Sequence, residues 1–183
     1  MHFTENPYDR ERYERLLVLA SRDYAEIAQL PHDEVLERFR RELGYCTTKV
    51  GADAAIVDDE ERLLLVRRAD DGCWGLVSGW VDTGEAPHET VVRELREETG
   101  FEGVVDDLVG IFARPASAQF GPHASIAVVY LCSLNGGERR FPPHEILDVA
   151  WRHVDDVEPW HKNHEHYARA ALARWRARRE ESA

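Results

Sequence analysis

Apolar residues recur at intervals of three and four over two N-terminal stretches. Tyr13, Leu16, Leu17, Ala20, Tyr24, Ile27 and Ala28 give one apolar face to a helix over residues 9–30, whose other face is charged. Pro31 opens a second helical stretch with Val35, Leu36, Phe39 and Leu43 on its apolar face and Gly44 as its stop. The period then changes. Residues 49–58 are rich in Ala, Ile and Val and read as a strand. Asp58-Asp59-Glu60 makes a turn, and residues 62–68, with an LLLV centre, read as the second strand of a hairpin. Residues 74–77, 103–113, 125–134 and 145–154 give further strands, separated by turn signals at Asp70-Asp71-Gly72 and Asn135-Gly136-Gly137. A final helix turns Tyr167, Ala170, Ala171 and Trp175 inward and ends in the basic run ARWRARRE, which suits a helix C-terminus. The pattern predicts an α/β domain over residues 46–183, preceded by a helical segment over residues 1–45.

The densest chemistry lies in residues 79–101, GWVDTGEAPHETVVRELREETGF. Pro87 suits the first position of a helix, Glu89 its first turn, and Gly100 its left-handed end. Val91, Val92, Leu95 and Thr99 predict the buried stripe. At roughly 100° per residue, Glu94, Glu97 and Glu98 fall side by side on the same helix. Three clustered carboxylates repel one another, and a hard divalent cation would turn that repulsion into attraction. Mg²⁺ uses few carboxylates and takes further ligands from substrate phosphates, so the cluster reads as a metal platform for phosphate chemistry. Taken alone, the same residues also read as a solvated acidic helix face.

The segment before the helix changes that balance. Gly79, Glu85, Arg93, Glu94, Leu95, Glu97, Glu98, Gly100 and Phe101 stand in the order G-x5-E-x7-R-E-L-x-E-E-x-G-F. This resembles the Nudix box at every defined position. One departure lies just ahead of it, where Ser78-Gly79-Trp80 replaces the frequent Pro-Gly-Gly and leaves the loop shape open. The resemblance implies a Nudix α/β/α sandwich with a mixed β-sheet, over about residues 47–180. It also implies a hydrolase that cleaves a nucleoside diphosphate linked to another moiety X, with Mg²⁺ or Mn²⁺ as cofactor. By resemblance Glu94, Glu97 and Glu98 bind metal, the Gly79 carbonyl adds a ligand, and Glu85 supports the site. Arg93 orients a catalytic glutamate. The base that takes the proton of the attacking water is Glu97 or Glu145.

Other residues extend the substrate reading. Arg67 and Arg114 are candidates to face a phosphate, and Phe120 to stack on a base. Pro115 lies where ADP-ribose-cleaving Nudix enzymes often carry a proline. The N-terminal helices, with their DRERYERL opening, resemble those of a Nudix subgroup that acts on nucleoside-diphosphate conjugates, where they serve in dimer contacts. ADP-ribose, CDP-alcohols and nucleotide-sugars therefore all stand as expected substrates, and a homodimer as the expected assembly. A non-hydrolytic nucleotide-binding module is the alternative from another functional class.

Composition narrows the partners. The chain has 183 residues and a formal net charge of -12, which disfavours duplex nucleic acid. Lys49 and Lys162 are the two lysines beside many arginines, a balance expected of a salt-accumulating organism or of an Arg-favouring genome. No apolar run is long enough to cross a bilayer and no secretory segment opens the chain, so a cytoplasmic setting is expected. Cys46, Cys73 and Cys132 show no metal-ligand spacing. His161, His164 and His166 precede the final helix without a matching Cys or acidic ligand, and are expected to be exposed.

Overall fold

The computed structural model describes residues 6–42, 47–117 and 124–181. The chain forms two compact units, residues 1–47 and 48–183. In the first, α1 (Pro7–Ala28) and α2 (His32–Glu42) pack as a pair. Tyr24 and Phe39 bring their rings to 5.3 Å, and Ser21 Oγ lies 2.9 Å from His32 Nε2. Asn6 caps α1 by accepting from the Tyr8 N–H, and Pro7 occupies the first turn. The predicted stripe of α1 is only partly used, since Leu16 and Ile27 remain exposed.

The second unit begins with β1 (Lys49–Ile56), β2 (Leu63–Arg68), β3 (Trp74–Gly75) and β4 (Val77–Trp80). Then come α3 (Pro87–Thr99), β5 (Phe101–Arg114), β6 (Ser125–Gly137), β7 (Ile146–Arg152) and α4 (His164–Glu181). One sheet has the order β4-β1-β6-β5, with β1 and β6 parallel and the other pairs antiparallel; a second has the order β3-β2-β7. Side chains alternate along the strands between two cores. Ala52, Ala54, Ile56, Leu64 and Val66 pack with Val91 and Leu95 of α3. Ala55, Leu63, Leu65 and Val129 pack with Tyr167, Ala168, Ala171 and Leu172 of α4. The sheets thus lie between two helices, as expected of the sandwich.

Local reading failed at two points. The expected β1–β2 hairpin is reduced to one antiparallel bridge, Val57 to Leu63, around the turn at Asp58: along their lengths β1 pairs with β4 and β6, and β2 with β3 and β7. Both strands are buried on both faces over most of their length, so their apolar pattern carries no information about which neighbour they take. The expected strand over 74–77 is two strands that part at Leu76 and belong to different sheets. That crossing carries the chain from the second sheet directly to Gly79.

The helix of the acidic cluster ends as predicted. The Glu89 carboxylate accepts from the Ala86 N–H at 2.8 Å, and Gly100 takes φ 78°. A Cβ at Gly100 would lie 2.3 Å from the Glu138 carbonyl oxygen. Its buried face differs from the predicted stripe at three positions. Val92 is exposed, whereas Thr90 and Glu98 are buried with Val91, Leu95 and Thr99. Among the described residues no helix is long and apolar enough to cross a membrane.

Candidate active site

Arg93 is the hub of the loop-and-helix stretch. Its Nε and Nη2 each donate to one oxygen of Glu85 at 3.0 Å. Its Nη1 donates to Glu94 at 2.6 Å and to Glu97 at 3.1 Å, and Nη2 reaches the Trp80 carbonyl at 3.4 Å. Thr90 Oγ1 adds a bond of 2.6 Å to Glu85. The bidentate Arg93 pair, then the Thr90 hydroxyl, draw the Glu85 carboxyl down to about 2.

Glu94 is half-buried, and burial raises its carboxyl above the usual range against the pull of Arg93. It rests on the Gly79 backbone, where a Cβ would lie 1.9 Å from Glu94 Oε1. Glu98 is buried, with Oε2 accepting from the Ser78 N–H at 3.1 Å. Burial pushes its carboxyl up to about 8; the Ser78 N–H opposes this, and the Glu94 and Glu145 carboxylates add to it. These groups offer oxygen only, from carboxylates and a backbone carbonyl, and they crowd negative charge into a poorly hydrated place. That chemistry fits a hard divalent cation. Among the described residues no three His, Cys, Asp or Glu side chains are drawn together into a metal-holding group. Arg93 holds Glu94 and Glu97 instead.

A cleft of about 400 Å³ opens beside these residues, within the roughly 300–1,000 Å³ of small-molecule sites. Gly51, Ser78 and Gly79 contribute from β1 and β4, with the half-exposed Trp80 beside them. Glu98 and Glu145 supply acid, whereas Arg68, Arg114 and Lys162 supply positive charge. Glu145 is fixed through its backbone, whose carbonyl accepts from the Ala69 N–H at 2.8 Å.

The predicted residues divide accordingly. Gly79, Glu98, Glu145 and Arg114 line the cleft, with Glu94 packed behind Gly79. Glu85 and Arg93 sit behind the glutamates. Glu97 is about half exposed and does not line the cleft. Arg67 is exposed, donates to the Gly72 carbonyl at 3.0 Å and does not line it either; its neighbour Arg68 does. Phe120 lies outside the described residues.

Two of the three histidines reverse their expectation. His161 and His164 are buried and line the cleft; His166 is exposed. The reason is tertiary: the His161 N–H donates to the Trp74 carbonyl, which docks this segment beside β3. His161 Nδ1 lies 2.5 Å from Asp71 Oδ2, and His164 Nδ1 accepts from the Leu76 N–H at 3.0 Å. Burial lowers the tendency of both rings to protonate. Asp53 also escaped the sequence reading. It is a lone acid inside the apolar run VGADAAIV, and that isolation was the available signal.

The model of the NUDIX domain matches residues 47–174. A solved UDP-X diphosphatase aligns over 97% of this chain and 87% of its own, at 28% identity and a TM-score of 0.67. An ADP-ribose pyrophosphatase from Streptococcus suis 89-1591 aligns over 71% of this chain and 93% of its own, at 30% identity and a TM-score of 0.60. A MutT-like protein of Streptomyces ambofaciens is 34% identical over 108 residues, 59% of this chain and 66% of that protein. The chain spans a little under two thirds of the length of such curated relatives (65%, 66% and 64% in three of them). The intact box, the two-helix sandwich around the sheets and the domain match together establish that the chain belongs to the Nudix family.

Proposed function

We propose that the chain is a divalent-metal-dependent hydrolase that cleaves the diphosphate linkage of a nucleoside diphosphate joined to another moiety. The observation that carries this reading is the polarity of the cleft. The same cleft of about 400 Å³ is lined by Glu98, Glu145 and the Gly79 backbone and by Arg68, Arg114 and Lys162. The arginines suit phosphate oxygens. The acidic side would repel a diphosphate unless a cation bound there.

In this reading Glu94, Glu98 and the Gly79 carbonyl hold Mg²⁺ or Mn²⁺, with Glu97 as a further carboxylate of the same helix. When bound, the cation neutralises the charge that develops on the diphosphate. Arg93 keeps Glu85 and Glu94 in place. Arg68 and Arg114 bind and orient phosphate oxygens. Glu145 lines the cleft where Glu97 does not, so the proton of the attacking water is assigned to the Glu145 carboxylate. Attack forms a new phosphorus–oxygen bond and breaks the bond to the bridging oxygen. The products are a nucleoside monophosphate and the phosphorylated moiety. The names of the relatives, ADP-ribose pyrophosphatase and UDP-X diphosphatase, support conjugates of this class as substrates.

The test is a monophosphate-release screen with a coupled phosphatase. ADP-ribose, CDP-choline, UDP-glucose and nucleoside triphosphates are offered in Mg²⁺ and in Mn²⁺. Turnover of a diphosphate conjugate is expected with metal and not with EDTA. Glu98→Gln should lower turnover by about two or three orders of magnitude in a folded protein. Turnover of triphosphates alone would remove the substrate class. Ligand-induced thermal shifts without product release would point to a binding module instead.

A further inference from the structure

Asp53 is fully buried (0% exposed) at the middle of β1, in a run that is otherwise apolar. A buried carboxylate is costly unless it is paired and hydrogen-bonded, and nothing in the diphosphate chemistry above uses it. Its partners are specific. Arg114 Nη2 lies 3.3 Å from Asp53 Oδ1 and 3.2 Å from Oδ2. Arg114 Nε donates to the Tyr167 hydroxyl at 3.0 Å, and the guanidinium lies 5.1 Å from the centre of that ring. His164 Nε2 stands 3.6 Å from Asp53 Oδ1.

Two nitrogens of Arg114 are thereby committed. The third, Nη1, faces the floor of the cleft, as Gly51 shows. A Cβ at Gly51 would lie 3.4 Å from Arg114 Nη1 and 3.5 Å from the Gly79 carbonyl oxygen. Nη1 and the Gly79 carbonyl therefore look onto one small volume, which a side chain at residue 51 would begin to fill. We propose that Asp53 is a positioning residue for substrate: with Tyr167 and His164 it holds Arg114 so that Nη1 meets a phosphate oxygen over Gly51. The inference rests on the reading that Arg114 binds the substrate diphosphate.

Each member has a distinct part. Asp53 supplies charge and two acceptors. Tyr167 fixes the tilt of the guanidinium through Nε. His164 accepts the Leu76 N–H at Nδ1, so its ring proton sits on Nε2, toward Asp53. Gly75 leaves room for that ring, since a Cβ there would lie 2.8 Å from His164 Nδ1. An arginine held before substrate arrives loses less rotamer freedom on binding, which appears as affinity rather than as chemistry.

The experiment measures kcat and KM in Mn²⁺ for ADP-ribose and UDP-glucose with Arg114→Ala, Asp53→Asn, Tyr167→Phe and the Asp53→Asn/Arg114→Ala double variant. Arg114→Ala should raise KM about tenfold. Asp53→Asn should raise it about fivefold or more with kcat within about twofold, and should add little in the Arg114→Ala background. Tyr167→Phe should raise KM by a smaller factor in the same way. If Arg114→Ala raises KM while Asp53→Asn and Tyr167→Phe leave it unchanged, the positioning inference fails and the reading of the site survives. If Arg114→Ala leaves KM unchanged, or neither conjugate is turned over, the reading of the site fails and this inference with it. Should Asp53→Asn show no cooperative thermal transition, Tyr167→Phe decides the question by the same criterion.

Discussion

Glu94 lies directly against the backbone of Gly79, so closely that a Cβ on residue 79 would sit 1.9 Å from Glu94 Oε1. Gly79 does not have a positive φ, so the backbone itself would accept alanine. The obstacle is the Glu94 side chain, whose Cγ at 2.6 Å is crowded as well as its carboxylate, and a side chain can move where backbone cannot. Gly79→Ala should therefore fold and melt within a few degrees of the parent, while displacing Glu94. A misplacement of about 1 Å at a reacting centre costs on the order of a hundredfold in rate. Turnover in Mn²⁺ together with a thermal melt checks both halves, and near-parental turnover would mean that Glu94 is not needed where it lies.

Glu98 predicts a pH dependence of stability in metal-free protein. Its folded carboxyl, pushed up to about 8 mainly by burial, lies above its ordinary value of 4.5. The folded state therefore binds the extra proton. The associated stability is fully present below about 4.5 and is lost as pH rises through about 8. The loss is on the order of a few kcal/mol. Chemical denaturation in EDTA from pH 5 to pH 9 should show this decline in the parent and a shallower one in Glu98→Gln. Adding Mn²⁺ at pH 8 should restore stability in the parent more than in the variant.

Arg93 binds Glu85 through two parallel bonds and reaches Glu94 and Glu97 through its third nitrogen. Lysine keeps the charge but has a single donor head, so it cannot hold this fork. Arg93→Lys should lower turnover by about ten- to a hundredfold, and higher Mn²⁺ should recover part of the loss. A variant with unchanged turnover at low Mn²⁺ would show that charge alone suffices.

His164 is wedged against Gly75, where a Cβ would lie 2.8 Å from Nδ1. The ring is 3% exposed and cannot swing away into solvent. Gly75→Ala should destabilise by about 1–3 kcal/mol through overpacking, read as a lower denaturation midpoint at constant slope. A loss below about 0.5 kcal/mol would mean that the segment before α4 can lift at little cost.

The net charge of -12 predicts that stability rises with KCl, because screening relieves self-repulsion. The melting temperature should climb from low to molar KCl. A flat profile would favour codon bias as the origin of the Arg-rich, Lys-poor composition.

The sequence by itself determined the family, the box helix and its ends. Pro87, Glu89 and Gly100 act through neighbours within a few residues, so linear spacing suffices to read them. It also determined which glutamates share that helix, because helical geometry follows from counting. What it did not contain was the partner of each buried strand, since β2 and, Asp53 apart, β1 are buried on both faces by apolar residues over most of their length. Only the tertiary structure decided that Arg68, not Arg67, reaches the cleft. The two are neighbours on β2 and point to opposite faces of the strand, and which face meets the cleft depends on how β2 sits between β3 and β7. The same holds for His161 and His164. Their burial depends on a segment more than eighty residues away in the chain docking on Trp74 and Leu76. Asp53, Arg114, His164 and Tyr167 come from β1, β5 and α4, and no local pattern links them. Short-range hydrogen bonds and helical periodicity are written along the chain. Desolvation and long-range pairing come into being only when the sheets close between α3 and α4.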